Sequence, residues 1–154
     1  MDQKERKLTE IARNRKARRD YEILETFEAG VALLGTEVKT LREGRVSLEE
    51  AFVRPLEDGL WLEQAFIDEY RQGNVYNHEP TRKRQLLVKK KELMKIRQKA
   101  REKGLTLIPL RLYFRGKWAK LEIGLCRGRT HGDKRNVLKD RQAKRDIRRA
   151  TKGF

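Results

Sequence analysis

The chain has 154 residues, a length that predicts one domain with appendages, and it carries 39 Lys and Arg against 23 Asp and Glu, a formal net charge of +16. Hydrophobic residues make up only 37% of it, so we expect a small core and at least one basic segment outside that core. No stretch reaches the roughly 18 apolar residues of a membrane-spanning helix, and the first residues lack the apolar core of a signal peptide. We therefore expect a soluble, cytoplasmic protein with no membrane partner.

The first nineteen residues are strongly basic. Residues 1–19 hold eight Lys or Arg and three acidic residues, with Leu8 and Ile11 as their sizeable apolar side chains. This composition predicts a basic N-terminal arm or a weakly packed first helix.

A strand and a short helix are predicted next. The run at 21–34 is rich in aromatic and β-branched residues, as strands are. Gly35 and Thr36 can stop this strand and start a helix with Thr36 as its N-cap, and Gly44 can end the helix about two turns later.

A β-hairpin and a loop follow. The strand-like runs 47–56 and 60–67 are joined by an Asp-Gly turn signal at 58–59. Residues 68–83 carry the Gly, Asn and Pro that are typical of loops. Within this loop we expect His78 to make ordinary hydrogen bonds rather than to serve as a ligand or a base.

Residues 82–103 predict a helix that ends at Gly104. An apolar stripe along it, suited to docking on a sheet, consists of Leu86, Leu93, Ile96 and Ala100, flanked by Leu87 and Met94. The other faces hold eleven basic residues against two acidic ones, whereas a helix facing only water usually mixes its signs. Two alternatives stay open for these faces: a solvated surface or a surface that binds a polyanion.

Two long strands complete the predicted core. The side chains predicted to share one face are Ile108, Leu110, Leu112 and Phe114 in the first strand, and Ala119, Leu121, Ile123 and Leu125 in the second. Residues 115–117 form the turn between them. Lys120 and Glu122 would then lie on the opposite, outer face, and Cys126 would be a small buried filler.

The sum is five or six short strands with two or three helices, which fits a small closed or partly open β-barrel of the oligonucleotide-binding type. The fold class we expect is mainly β with flanking helices and a basic C-terminal tail. The expected divisions are an arm or helix at 1–19, the barrel with its helices at 20–127, and the tail at 128–154.

The C-terminal tail has the densest charge. Residues 128–154 hold ten Lys or Arg and three Asp, and a free run of seven net positive charges cannot pack into a core. We expect an outside polyanion to neutralise it, and RNA is the polyanion that we favour. Mutual repulsion would keep the free tail disordered, and a helix would form mainly when phosphates neutralise it.

No catalytic constellation stands out in the sequence. His78 and His131 are its histidines, Cys126 is its single cysteine, and GRTHGDK at 128–134 lacks the glycine spacing of a phosphate-binding loop. We therefore expect no enzyme activity, no metal site and no cofactor.

Four motifs together resemble one known family. They are NRKARRDYEILETFEAGVALLGTEVKTLREG at 14–44, YNHEPTRKRQLL at 76–87, KGLTLIPLRLYF at 103–114 and the GxxxxDKR run at 128–135. On these motifs the chain resembles the SmpB family (small protein B), the SsrA-binding proteins of bacterial trans-translation, over about residues 8–145. The first motif is long and contiguous, so it is the most specific of the four.

The resemblance implies a barrel of the oligonucleotide-binding type without enzyme activity. It implies transfer-messenger RNA (SsrA RNA, or tmRNA) as the partner, bound at its tRNA-like domain. Alanyl-charged transfer-messenger RNA and elongation factor Tu would enter stalled ribosomes with the protein. The tail would then contact the small-subunit decoding centre and probe the empty messenger channel. We expect the chain to act as a monomer.

The first group of candidate RNA-binding residues lies at the start of the first motif. Phosphate donors are available in Asn14, Arg15, Lys16 and Arg18, and Asn14 can also read a base or sugar edge. Tyr21 offers a stacking face, with packing into the core as the open alternative.

A second group combines an acid with a base. Glu28 can accept hydrogen bonds from base amino groups or a ribose hydroxyl, or it can orient a neighbouring Arg. Lys120, on the outer strand face, is suited to a phosphate contact. By resemblance, Asn14, Glu28 and Lys120 match positions linked to RNA binding in the family.

Contacts with the ribosome are expected from the tail residues His131, Gly132, Asp133, Lys134, Arg135, Lys139, Arg141, Arg145 and Arg148. The family commonly has a His or an aromatic residue directly before DKR, where this chain has Gly132, with His131 one residue earlier. Either Gly132 lets His131 reach the same place, or stacking there is not required.

A different class of function also fits the composition. A ribosomal or other structural RNA-binding protein could thread its basic arms through ribosomal RNA permanently. An RNA-modifying enzyme is a third reading, but the sequence offers it no catalytic residues.

Overall fold

The computed structural model describes residues 8–73, 76–102 and 104–129. Within these ranges the strands and helices, in chain order, are β1 Leu8–Arg13, α1 Arg15–Asp20, β2 Tyr21–Val31, α2 Gly35–Arg42, β3 Val46–Ser47, β4 Phe52–Leu56, β5 Gly59–Glu63, β6 Phe66–Ile67, β7 Arg84–Leu87, α3 Lys90–Ala100, β8 Leu105–Arg115 and β9 Trp118–Gly128.

Six antiparallel strands form a small barrel. They pair in the order β8-β4-β5-β7-β2-β9, and β9 pairs back to β8, so the ring closes. Between β4 and β8 the pairing is the single couple Val53 and Leu107, which leaves the barrel partly open at this seam. The strands β3 and β6 form a separate two-stranded sheet. The predicted fold class, a small β-barrel with flanking helices, is confirmed.

The β8–β9 hairpin is the longest pairing of the barrel. On β9 the predicted inner face is confirmed, because its alternating apolar side chains lie in or against the core. On β8 the predicted face is wrong in part, since a bulge between Pro109 and Arg111 changes the alternation. Leu112 and Phe114 therefore enter the core, whereas Ile108 and Leu110 belong to a second apolar cluster outside the barrel.

Helix α1 covers this second cluster. Its Ala17 packs with Ile108, Leu110 and the fully buried Cys126. The buried filler role expected of Cys126 is thus confirmed, and burial raises the pKa of its thiol to about 11.

The expectation of an arm or helix at 1–19 holds only in part for the described residues. Residues 8–13 form the strand β1, which pairs with the outer half of β8 from Arg111 to Arg115. That half of β8 lies beyond its pairing with β4, so it has an unpaired edge that an extra strand can satisfy. The helix at Arg15–Asp20 then follows β1.

Helix α2 begins at Gly35, two residues before the first residue of a helix capped by Thr36. Leu34 is the N-cap residue, and the Glu37 carboxylate accepts a hydrogen bond of 2.8 Å from its backbone N–H. The Thr36 hydroxyl instead makes a 2.9 Å hydrogen bond with Nδ1 of His78. Gly44 ends the helix with a φ of +76°, as predicted.

The helix predicted at 82–103 is shorter than expected. Residues 84–87 are the strand β7, and α3 begins only at Lys90. The buried Arg84 explains the difference, because its guanidinium donates to Glu37 and to the carbonyl oxygens of Ala65 and Pro80. These distant partners hold the segment extended against its helical pattern.

The remaining predictions about this half of the chain are confirmed in part, because the paired strands are shorter than the runs 47–56 and 60–67, and Leu87 and Met94 beside the predicted stripe are exposed. The strands β4 and β5 form the predicted hairpin. In the loop, His78 is buried and makes ordinary hydrogen bonds, to the Thr36 hydroxyl and, through Nε2, to the carbonyl oxygen of Ile67 at 2.8 Å. Ile96 of α3 is buried in the core, as its predicted stripe requires.

Candidate nucleic-acid interface

The outer face of β8, β9 and β2 divides into two halves. On β9, Leu121, Ile123 and Leu125 lie in the core, so the residues that alternate with them face outward. One half of this outer face is the apolar cluster under α1. The other half, which we call the charged face, consists of Glu28, Arg111, Tyr113, Arg115, Lys120 and Glu122.

Glu28 is the centre of the hydrogen bonds on the charged face. Its Oε2 accepts from the Tyr113 hydroxyl and from both Nε and Nη2 of Arg115, at 3.1 and 3.0 Å. Of the two roles left open for Glu28, the structure therefore shows the orientation of a neighbouring Arg. The guanidinium of Arg115 is held in one position, so it can meet a phosphate without first being ordered.

The charge of Glu28 is maintained by its neighbours. Partial burial by itself would raise the pKa of this carboxyl. The hydrogen bonds from Tyr113 and Arg115, with the positive charges of Arg115 and Lys120, outweigh the burial and hold the pKa below its ordinary value. Glu28 therefore stays ionised at neutral pH and keeps accepting the hydrogen bonds of Arg115.

Tyr113 is buried on an otherwise polar face. Its side chain is only 2% exposed, and the guanidinium carbons of Arg111 and Arg115 lie 4.7 and 5.6 Å from its ring centre. Arg111 in turn donates to Glu122 at 3.2 Å. One aromatic ring thus supports two arginines, each of which is also paired with a carboxylate.

An open pocket of about 450 Å³ adjoins the charged face. Its wall includes Lys120 and Lys117, with the half-exposed side chains of Trp118 and Leu87. An exposed indole beside two lysines can stack on a base while the lysines meet its phosphates. The pocket therefore complements the fixed arginine nearby.

Sequence reasoning assigned no role to seven residues of this site, which are Leu87, Arg111, Tyr113, Arg115, Lys117, Trp118 and Glu122. The alternation along β9 did place Lys120 outward, and the same rule in β8, with Leu112 and Phe114 inward, places Arg111, Tyr113 and Arg115 on the same outer face. Leu87 had been attributed to a helix that does not extend so far.

Asn14 has a different position from the one expected. It is 2% exposed, and its Oδ1 caps α1 by accepting from the backbone N–H of Ala17 at 3.1 Å. Its Nδ2 donates to the carbonyl oxygens of Leu48 at 3.2 Å and Pro109 at 2.9 Å. Both amide hydrogens are used within the protein, where Asn14 positions α1, and the RNA-binding role expected of it stays a prediction.

The other candidates of the first motif lie on or next to α1. Arg15 and Arg18 are exposed, whereas Lys16 forms an ion pair with Glu50 at 3.4 Å. Tyr21 is half-buried and packs against the apolar cluster. The alternative of packing into the core therefore applies to much of its ring. These residues and Glu28 lie toward opposite ends of β2, on the order of 20 Å apart along the strand, and the structure does not gather them into one pocket.

The tail candidates lie outside the described residues. They are His131, Gly132, Asp133, Lys134, Arg135, Lys139, Arg141, Arg145 and Arg148. Within residues 8–73, 76–102 and 104–129, no group of three or more His, Cys, Asp or Glu could hold a metal ion. Across those same ranges, none of the helices has the length and apolar character needed to cross a bilayer.

A small antiparallel barrel, an outer face of ordered arginines beside an aromatic pocket, and a net charge of +16 define a basic β-barrel protein of the oligonucleotide-binding class. The family model described as "SmpB protein" matches residues 11–153. The chain belongs to the SmpB family.

Individual relatives cover nearly the whole chain. The SsrA-binding protein of Carboxydothermus hydrogenoformans is 54% identical over 140 residues, which are 91% of this chain and 94% of the relative. That of Desulforudis audaxviator is 50% identical over 143 residues, 93% of this chain and 94% of the relative. A solved structure described as "tmRNA-SmpB: a journey to the center of the bacterial ribosome" has a TM-score of 0.66 at 47% identity, covering 82% of this chain and 93% of that one.

Proposed function

We propose that this chain binds transfer-messenger RNA and delivers it to stalled ribosomes for trans-translation. The observation that carries the proposal is the charged face, where Glu28 fixes Arg115 beside Lys120 and the pocket of Trp118. Relatives that are named SsrA-binding proteins, at about half identity over nine-tenths of the chain, support RNA of this kind as the ligand.

The chemistry of the charged face suits a folded RNA with splayed bases. Its arginines and carboxylates nearly balance, so its contribution is a set of fixed donors rather than a diffuse positive field. Arg115 and Lys120 would bind phosphates, and Trp118 would stack on an unpaired base. Paired duplex would leave the pocket unused, because A-form grooves present few bases to side chains.

Helix α1 supplies a second set of contacts on the same side of the barrel. Arg15 and Arg18 are exposed on it, and Asn14 holds its first turn in place. We propose that these arginines bind the backbone of the same RNA. Asn14 then acts through them as a positioning residue, with no contact of its own.

The tail at 128–154 completes the proposal on the strength of its sequence. Its ten Lys and Arg would occupy the messenger channel only when that channel is empty, because messenger RNA and the tail would compete for the same site. The chain would act in the cytoplasm as a monomer with elongation factor Tu. It would act by binding rather than by catalysis.

Binding of the tRNA-like domain of transfer-messenger RNA tests the charged face. The single variants Arg115→Gln and Lys120→Gln should each weaken binding about tenfold and reduce the slope of log affinity against log salt by about 0.7 to 0.9. The matched control is Lys39→Gln, an exposed lysine on α2 that should leave both quantities nearly unchanged. Equal effects of all three variants would contradict a role for the charged face.

Deletion of residues 132–154 tests the division of labour between barrel and tail. The truncated protein should keep most of its affinity for transfer-messenger RNA but fail to support peptide tagging on ribosomes with truncated messenger RNA. Loss of RNA binding on truncation would contradict the proposal. Co-sedimentation of the full chain with all ribosomes at high salt would instead favour a permanent ribosomal protein.

A further inference from the structure

The pocket of Trp118 lies between two walls. The β8–β9 hairpin supplies one wall, which includes Trp118 and Lys120. Residues 30–33, at the end of β2, and Leu87, at the end of β7, belong to the other wall, which we call the apolar wall. The apolar wall has no charged side chain of its own, so its position depends on the contacts behind it.

The backbone pairing that holds the apolar wall is short. The pairing of β2 with β7 covers two residues of β2, which are Gly30 and Val31. One further backbone hydrogen bond follows, from the N–H of Ala32 to the carbonyl oxygen of Gln85 at 3.0 Å. A Cβ at Gly30 would lie 3.3 Å from that of Leu87, so the two strands approach closely at this point. Past Ala32 the chain leaves β7 and enters α2, so side chains must hold the end of the wall.

A buried ion-pair cluster holds this end of the apolar wall. The carboxylate of Glu37, fully buried on α2, accepts from Nη2 of Arg82 and, at 3.1 Å, from its Nε. The same Nη2 donates to the carbonyl oxygen of Ala32 at 3.5 Å. Glu37 also accepts from the backbone N–H of Leu34 at 2.8 Å. One guanidinium thus joins the start of α2 to the apolar wall.

Arg84 shares the carboxylate of Glu37 but has other partners. It is fully buried, and its guanidinium also donates to the carbonyl oxygens of Ala65 at 2.8 Å and Pro80 at 2.9 Å. The side chain of Arg82, by contrast, is 28% exposed. Arg84 therefore stabilises the core around β6 and β7, whereas Arg82 holds the apolar wall.

The cluster stays charged at neutral pH. Burial by itself would raise the pKa of the Glu37 carboxyl. The hydrogen bonds from Arg82, from the Leu34 backbone and from Arg84 outweigh burial and hold this pKa below its ordinary value. A lysine in place of Arg82 would keep the positive charge. It could not reproduce the contacts, because an ammonium group lacks the planar fork that meets two carboxylate oxygens at once.

We propose that Arg82 is a positioning residue for the pocket, which holds the apolar wall at a fixed distance from Trp118 without touching the RNA. Among the described residues, those that line the pocket do not include Arg82, so it acts through Leu87 and residues 30–33. An unpaired base would then enter a gap that is already formed, and the wall would not have to be ordered on binding. This role rests on the proposed function for the identity of the ligand.

Affinity of the full chain for the tRNA-like domain of transfer-messenger RNA separates positioning from direct contact. Arg82→Lys and Arg82→Met should each weaken binding about threefold to tenfold, with the slope of log affinity against log salt nearly unchanged. A direct phosphate contact predicts a different result. Arg82→Lys would then bind like the wild type, and Arg82→Met would lower the slope by about 0.7 to 0.9. That result would overturn the proposal.

A double-mutant cycle tests whether Arg82 acts through the pocket. In Trp118→Ala, which lacks the stacking ring, Arg82→Lys should have little further effect on affinity, whereas in Arg18→Gln, on α1, it should keep its full effect. Equal effects in the two backgrounds would overturn the proposal. Val53→Ala, a core substitution on β4 away from the pocket, is the control for lost stability and should leave RNA affinity nearly unchanged. An equal loss of affinity in Val53→Ala would mean that Arg82 only stabilises the fold.

Tryptophan fluorescence tests the position of the wall without RNA. The chain has two tryptophans, and Trp61→Phe leaves Trp118 as the single reporter. In this background Arg82→Lys should raise the quenching of Trp118 by acrylamide, and Val53→Ala should not. Unchanged quenching in Arg82→Lys would contradict the proposal. If quenching rises but the wild-type chain does not bind the tRNA-like domain, the proposed function fails and the role of Arg82 in holding the wall stands.

Discussion

The hydroxyl of Tyr113 on β8 donates a hydrogen bond to the carboxylate of Glu28 on β2, across the intervening strand β9. Two strand spacings amount to about 9.5 Å, which only long side chains can bridge. The same carboxylate oxygen accepts from Arg115, so one acid links β2 to β8 across β9 and fixes one arginine. The charged face is therefore a preorganised surface rather than a collection of mobile cations.

Glu28→Gln should weaken RNA binding about tenfold while leaving the fold intact. The neutral amide cannot provide the charge-assisted acceptor that holds Arg115, so the guanidinium becomes mobile and pays an ordering cost on binding. Affinity for the tRNA-like domain is the measurement. Glu22→Gln, at an exposed position of the same strand, makes the same charge change and serves as the control. If simple loss of repulsion governed binding, both variants would instead bind RNA more tightly.

Tyr113 should ionise well above the ordinary tyrosine pKa of about 10. Burial raises its pKa first, and the hydrogen bond to the negative Glu28 raises it further. Because the raised pKa belongs to the folded state, the protonated Tyr113 hydroxyl contributes its full share to the stability of the fold below about pH 10. This contribution is lost as the pH rises through the pKa of Tyr113 in the folded protein. Ultraviolet titration of the phenolate should show a late component that is absent in Tyr113→Phe. A Tyr113→Phe titration identical to that of the wild type would refute this account.

Asn14→Ala should cost about 2 kcal/mol or more of unfolding free energy, because it removes the cap of α1 and leaves two buried carbonyl oxygens without their donor. Denaturant unfolding measures this loss. Arg18→Gln, on the exposed side of the same helix, should leave stability nearly unchanged but weaken RNA binding. A stable Asn14→Ala protein with lost RNA affinity would argue for a direct RNA contact by Asn14.

Gly124→Ala should lower the free energy of unfolding by about 1 to 3 kcal/mol, because it crowds the apolar cluster under α1. A Cβ at this position would lie 2.8 Å from Cδ1 of Leu110 and 3.0 Å from Sγ of Cys126, both within the second apolar cluster. The midpoint of thermal unfolding measures the effect. Gly35→Ala is the control, since no atom outside its own neighbours lies within 4 Å of a Cβ there. Equal midpoints for the two variants would mean that Leu110 can move aside at little cost.

Several features could be predicted because they depend on neighbouring residues. The β8–β9 hairpin follows from alternation along each strand and from a short turn, and the β4–β5 hairpin follows from Asp-Gly at 58–59. The outward position of Lys120 follows from the same alternation, whereas Cys126, which alternation also places on the outer face, is buried there because α1 covers it. The charge surplus of the chain needs only a count.

Other features were decided by residues far apart in the chain. The segment at Arg84–Leu87 is a strand because Arg84 reaches Glu37, Ala65 and Pro80, although its sequence has a helical pattern. The strand β1 forms because β8 offers it an edge. Asn14 reads as an RNA contact in the sequence, and only its burial between Leu48 and Pro109 shows that it caps and holds α1.

The sequence alone determined the class of the molecule: a small basic barrel, its long hairpins and the motifs of its family, because these reside in local alternation, turn residues and contiguous runs. Only the tertiary structure decided that Glu28 accepts hydrogen bonds from Tyr113 and Arg115, which lie 85 and 87 residues away in the chain. That contact depends on the order of the strands, on their pairing register and on one bulge in β8. A one-residue shift of the register or of the bulge would turn these side chains to the other face of the sheet.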